Sequence, residues 1–196
     1  MTARNLSLIL AVLLLGGCTA AERPPGSLPY PYWRLGFLAP DYMEVWVETA
    51  AVEDIRGRKF FHVGSGIAAV RTPPEDVNGA DLPKHIYVRW QSLAEPQTYR
   101  VTLDIPERAR QLMSERLEPP CRTSEYRHAL ALGLAPGGVV RGWVMSTCGG
   151  PIEVLRAQAE IEPKGPYGGQ SDGEYYFLSE SSKAYIEKHG IPYGSW

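Results

Sequence analysis

Apolar residues in this chain recur at every second position, in short runs separated by turn residues. Met43, Val45, Val47 and Thr49 fall in one phase, and Glu44, Trp46 and Glu48 in the other. Trp33, Leu35 and Phe37 repeat the pattern, as do Ile86, Val88 and Trp90, and then Tyr99, Val101, Leu103 and Ile105. A period of two sends alternate side chains to opposite faces of a strand, so each run buries one face. The runs return through turn signals such as Arg56-Gly57, not through long helical stretches, which predicts hairpins. The expected fold is mainly β, of the α+β kind. It is an antiparallel sheet or sandwich of about eight strands with two short helices at its ends.

The first helix is expected to open at Pro106, a good first helical position, and to carry Ala109, Leu112, Met113 and Leu117 on one face. Pro119-Pro120 should end it. The second should run from a Ser179 cap to His189, with Gly190 as its stop. Between them, Tyr126–Leu134 and Val139–Thr147 read as a hairpin around Ala135-Pro136-Gly137-Gly138. Ile152 to Ile161 reads as one further strand, and Tyr175 to Leu178 as a short one. Thr72–Lys84 and Glu162–Glu174 read as loops, the first polar and the second glycine-rich.

Ahead of this body stands a leader. Arg4 supplies a positive start, Leu6 to Leu15 an apolar stretch, and Gly16-Gly17 small residues before Cys18. The stretch of about ten residues is half of what a bilayer span needs. Leu15-Gly16-Gly17-Cys18 resembles a lipobox, so residues 1–17 are expected to be removed and Cys18 to carry lipid. Residues 18–31, rich in proline, form a semi-rigid tether, and 32–196 a single domain. Thr19 after Cys18 favours the outer membrane, with the domain facing the periplasm.

That address sets expectations for the other cysteines. Cys121 and Cys148 remain once Cys18 is lipidated, and an oxidising compartment favours a bridge between them. The 20 Lys and Arg against 22 Asp and Glu, without a basic run, argue against a nucleic-acid surface.

Three features invite a catalytic reading and lack the context for it. Gly169-Gln170-Ser171-Asp172-Gly173 matches G-x-S-x-G but leads from a loop into a strand, not from a strand into a helix. Gly64-Ser65-Gly66-Ile67-Ala68-Ala69 matches G-x-G-x-x-A, yet Pro73-Pro74 leaves no room for the helix a dinucleotide requires. His62, His85, His128 and His189 are scattered, with no second metal ligand at a recognisable spacing. No metal or cofactor is expected. Trp46, out of phase with the core and flanked by Glu44 and Glu48, is either an exposed aromatic anchor or the floor of a second layer. Glu44, Trp46, Glu48, Asp76, Asp81 and Tyr167 are the expected partner contacts, because they fall on the first hairpin and the two loops.

Taken together, Trp33-Arg34-Leu35-Gly36-Phe37 with Pro40, Met43 to Glu48, Ile86 to Ser92, Ala131 to Trp143 and Tyr185 to Trp196 resemble a family of proteobacterial outer-membrane lipoproteins known mainly as a domain of unknown function. Some lipoproteins of this kind are similar to immunity proteins paired with type VI secretion phospholipase effectors. The resemblance implies a non-catalytic binding module held at the membrane, with a secreted lipase as partner. The alternative is a structural envelope lipoprotein that holds a membrane or wall component.

Overall fold

The computed structural model describes residues 28–63, 68–69, 74–121, 124–194 and 196, with the side chains of 61–63, 68–69 and 120–124 left aside. The chain is mainly β, with thirteen strands and two α-helices among the described residues.

The first sheet has the order β12-β11-β10-β1-β5, built from β1 (Tyr32–Leu38), β5 (Glu75–Asn78), β10 (Ala129–Ala135), β11 (Val139–Met145) and β12 (Ile152–Gln158). The second has the order β13-β7-β6-β2-β3, from β2 (Val45–Asp54), β3 (Lys59–Val63), β6 (Pro83–Ser92), β7 (Gln97–Asp104) and β13 (Glu160–Ile161). The short β4 (Ala68–Ala69) also pairs with β2. β8 (Arg116–Cys121) and β9 (Ser124–Tyr126) form a small hairpin of their own.

The inward side chains of the two large sheets share one core. Trp33, Leu35, Leu130, Leu132, Val140 and Val144 come from the first sheet. Val45, Val47, Val52, Ile86, Val88, Trp90 and Leu103 come from the second. Trp33 and Trp90 are fully buried, and each large apolar side chain taken from water stabilises the fold by about 1.5–3 kcal/mol. The helix α1 (Glu107–Ser114) closes one end with Ala109, Leu112 and Met113.

Several elements depart from the sequence expectation, each for a local reason. Glu48 is an extra residue in β2, between the pairs Val47↔Trp90 and Thr49↔Arg89. This bulge shifts the phase, so Ala50 and Val52 point inward and Thr49 leaves the face it shares with Val47 by simple alternation. Helix α1 stops at Ser114, and Leu117 is buried from β8 instead. Ile152–Ile161 is two strands, since the chain turns at Ala159 and passes from one sheet to the other. The Ala159 N–H donates to the Gly138 carbonyl at 2.8 Å and holds that corner. Part of the Thr72–Lys84 loop is β5, which pairs antiparallel with β1. β1 pairs on its other side with β10 in parallel, the one parallel pairing among the described strands. Leu28, within the proline-rich stretch, is packed on the body. Its side chain joins the core and its N–H donates to Asp81 Oδ1 at 3.1 Å.

Candidate binding surface

The outer face of the second sheet is covered by the chain's own C-terminal part. After β13 pairs with the edge of β7, residues 162–179 cross that face as an irregular strap and lead into α2 (Glu180–His189). The expected strand at Tyr175–Leu178 is part of this strap and has no ladder partner.

Four alternate residues at the start of β2 and just ahead of it, Tyr42, Glu44, Trp46 and Glu48, receive it. Glu48 lies at the centre, with its side chain 2% exposed. It accepts from Arg89 Nε at 2.7 Å, from Gln91 Nε2 at 2.8 Å and from the Tyr167 backbone N–H at 2.6 Å. A buried carboxylate needs such donors, because losing its water uncompensated costs several kcal/mol. Gln91 passes the contact on, its Oε1 accepting from the Tyr176 N–H at 2.7 Å. Trp46 stacks under the Tyr176 ring at 3.7 Å, and Tyr176 stacks in turn on Phe177 at 4.4 Å.

Glu44 anchors the helix start. It accepts from the Ser179 N–H at 3.0 Å, from the Ser182 hydroxyl at 2.8 Å and from the Ser179 hydroxyl. Burial pulls its carboxyl upward, and the serine donors outweigh this and hold it below the ordinary carboxylate range. Ser179 is also the helix cap, accepting from the Ser182 N–H at 3.3 Å. Beyond Glu44, Tyr42 stacks on Tyr185 at 4.2 Å with the rings nearly parallel.

Of the expected contact residues, Glu44, Trp46, Glu48 and the Tyr167 backbone therefore meet each other, not open solvent. Glu44 and Glu48 turn toward the strap, and Trp46 is the floor of a second layer. Asp81 is buried as well. It accepts from the Leu28 and Leu82 N–H groups and pairs with Arg56 at 2.7 Å. Asp76 is exposed on β5 and pairs with Arg34 at 2.8 Å, away from the strap. Cys18 lies outside the described residues, as does the side chain of Cys121. Cys148 stands in the exposed bend after β11.

The motifs separate in the same way. Ser171 lies in a turn and donates to the Pro166 carbonyl at 3.4 Å, so its hydroxyl serves the loop. Residues 64–67 of the glycine motif lie outside the described residues, and Ala68-Ala69 form β4. His85 pairs with Asp104 at 2.6 Å, His128 faces the Tyr126 carbonyl at 3.3 Å, and His189 packs on Tyr185. The side chain of His62 lies outside the described residues.

The aromatic ridge itself was hidden from sequence reasoning. Phe177 stands 68% exposed at the end of the Trp46–Tyr176 stack, and Tyr42 is 41% exposed on Tyr185. The only sequence signal was Tyr175-Tyr176-Phe177 beside a glycine-rich loop. The exposed Phe177 ring is held by stacking on Tyr176, whose backbone N–H is bonded to Gln91 beneath it.

No curated protein matches this chain, and no solved structure does. A model of a protein family of unknown function, DUF2931, matches residues 19–194. That match spans nearly the whole chain, which belongs to the DUF2931 family.

Proposed function

We propose that the chain is a lipoprotein anchored through Cys18 to the outer membrane and facing the periplasm. There it acts as a non-catalytic binding module, an immunity protein that occludes a type VI secretion phospholipase effector. The observation that carries the binding reading is the pair of exposed aromatic rings over the second sheet, Phe177 on the strap and Tyr42 ahead of β2, each held by its own ring stack. Rigid aromatics lose little freedom on association, so the ordering cost is met before the partner arrives. The identity of the partner rests on the resemblance to immunity lipoproteins.

The anchor suits this role. Leu28 fixes the tether to Asp81, and holding the binder beside the membrane raises its effective concentration where a lipase acts. A bridge between Cys148 and Cys121 is the pairing that an oxidising periplasm favours. Closing that loop contributes about 3–4 kcal/mol in the chain-entropy model.

Co-expression with a periplasm-directed phospholipase encoded beside this gene tests the reading. Growth rescue together with a stable complex in pull-down is expected. A toxic lipase that neither binds nor is neutralised rules out the immunity role. An envelope defect on deletion, with no toxin present, favours the structural alternative instead.

A further inference from the structure

The outer face of the first sheet carries a groove of about 310 Å³ that the ridge does not use. It is lined by the apolar Leu38, Trp143, Met145, Pro151 and Trp196 and by the charged Arg141 and Glu153. Trp196 leans on Trp143 with ring centroids 5.1 Å apart. It fits because Gly133 lies below it, where an added Cβ would fall 2.3 Å from the Trp196 ring. The volume is close to the lower end of ligand sites, about 300 Å³, a size that suits one acyl chain.

The polar part of the groove has an imbalance of charge. Arg141 and Arg156 stand directly opposite each other across β11 and β12, an unfavourable pairing of like charges. One carboxylate, Glu153, lies between them. Arg156 Nε holds Glu153 Oε1, and Arg141 NH1 reaches Oε2 only at 3.6 Å. The Arg141 side chain is 24% exposed, and among the described residues no hydrogen bond reaches its guanidinium. A mostly buried guanidinium without a hydrogen bond is poorly satisfied, and a carboxylate is the group that matches its fork of donors. The cluster has one positive charge in excess. Away from Arg141 and Glu153 the walls are apolar apart from the two indole N–H groups, so the rest of the ligand is apolar.

We propose that this groove binds a single-chain fatty carboxylate, with the acyl chain against Trp143, Met145 and Leu38 and the head group on Arg141. The proposal stands apart from the effector reading, because it uses the opposite sheet and needs no protein partner.

The test titrates the full chain carrying Cys18→Ser, which removes the acylation site and leaves every described residue intact. Dodecanoate and dodecyltrimethylammonium are added below their micelle concentrations and dodecanol below its solubility limit, and tryptophan fluorescence is read. Saturable binding of one dodecanoate per chain is expected, about tenfold or more tighter than dodecanol, the size of one charge-assisted pair. Arg141→Gln should bring dodecanoate to the dodecanol level, and Arg141→Lys should recover part of the difference. The proposal is overturned by no saturable dodecanoate binding, by equal binding of the ammonium probe, or by an Arg141→Gln variant that titrates like the parent. The comparison of the three probes on the unaltered groove decides the matter even if the variants fold poorly.

Discussion

Asp54 shows how a single buried charge ties segments together. Its side chain is fully buried at the end of β2. It accepts from the N–H groups of Arg56, Arg58 and Asp81 and pairs with the Arg58 guanidinium at 2.7 Å. Burial raises its carboxyl, and these donors more than compensate, so it titrates below the ordinary carboxylate range. With the folded value lowered, its stabilisation is fully present above about pH 4, the ordinary carboxylate value, and is lost as pH falls through the lowered folded value. Asp54→Asn is expected to cost about 1–3 kcal/mol at neutral pH, with the gap to the parent narrowing as pH falls below about 4, the ordinary carboxylate value. Urea unfolding across that range measures it, and a gap independent of pH would contradict the charge argument.

At the scale of elements, the strap depends on its buried carboxylate. Glu48→Ala removes the acceptor for Tyr167, Arg89 and Gln91 together and leaves Arg89 without its partner. It is expected to destabilise the fold by about 3 kcal/mol. Faster hydrogen exchange across residues 162–179, with the β6 and β7 amides still protected, is the expected signature. Uniform loss of protection would show that strap and sheet unfold as one unit.

The strap also shows what a sequence makes legible. Alternation from Glu44 to Glu48 placed three residues on one outer face, and that face exists. What covers it was not legible, because the cover comes from residues 162–185 and long-range pairing leaves no periodic trace. The Glu48 bulge escaped for a related reason. An extra residue in a strand is visible only against its partner strand, where Val47↔Trp90 is followed by Thr49↔Arg89. The parallel pairing of β1 with β10 is likewise a property of two distant segments. By contrast, Ser179, Gly190 and the turn at Ala135–Gly138 act on their immediate neighbours, and the structure places the second helix and the hairpin accordingly.

For the whole molecule, the proposal places a two-sheet body on a tether, with different surfaces on its two outer faces. One carries the aromatic ridge on a strap, the other the arginine-bearing groove. Both work from the membrane only if Cys18 holds the chain there. Cys18→Ser is expected to move the protein from the membrane fraction to the soluble periplasmic fraction, followed by immunoblotting. Retention at the membrane would show that something other than acylation anchors it.

The ridge is where the binding account is most exposed to test. Calorimetry of the proposed phospholipase partner with the parent chain and with Phe177→Ala measures it directly. Phe177 lies 68% exposed at the end of its stack, so the substitution should leave the fold intact. Loss of a buried aromatic anchor at an interface costs about 2 kcal/mol or more, a weakening of roughly thirtyfold. A drop of that size with unchanged thermal stability is the expected result. Equal affinity of the two proteins for the lipase would contradict the ridge as the partner surface.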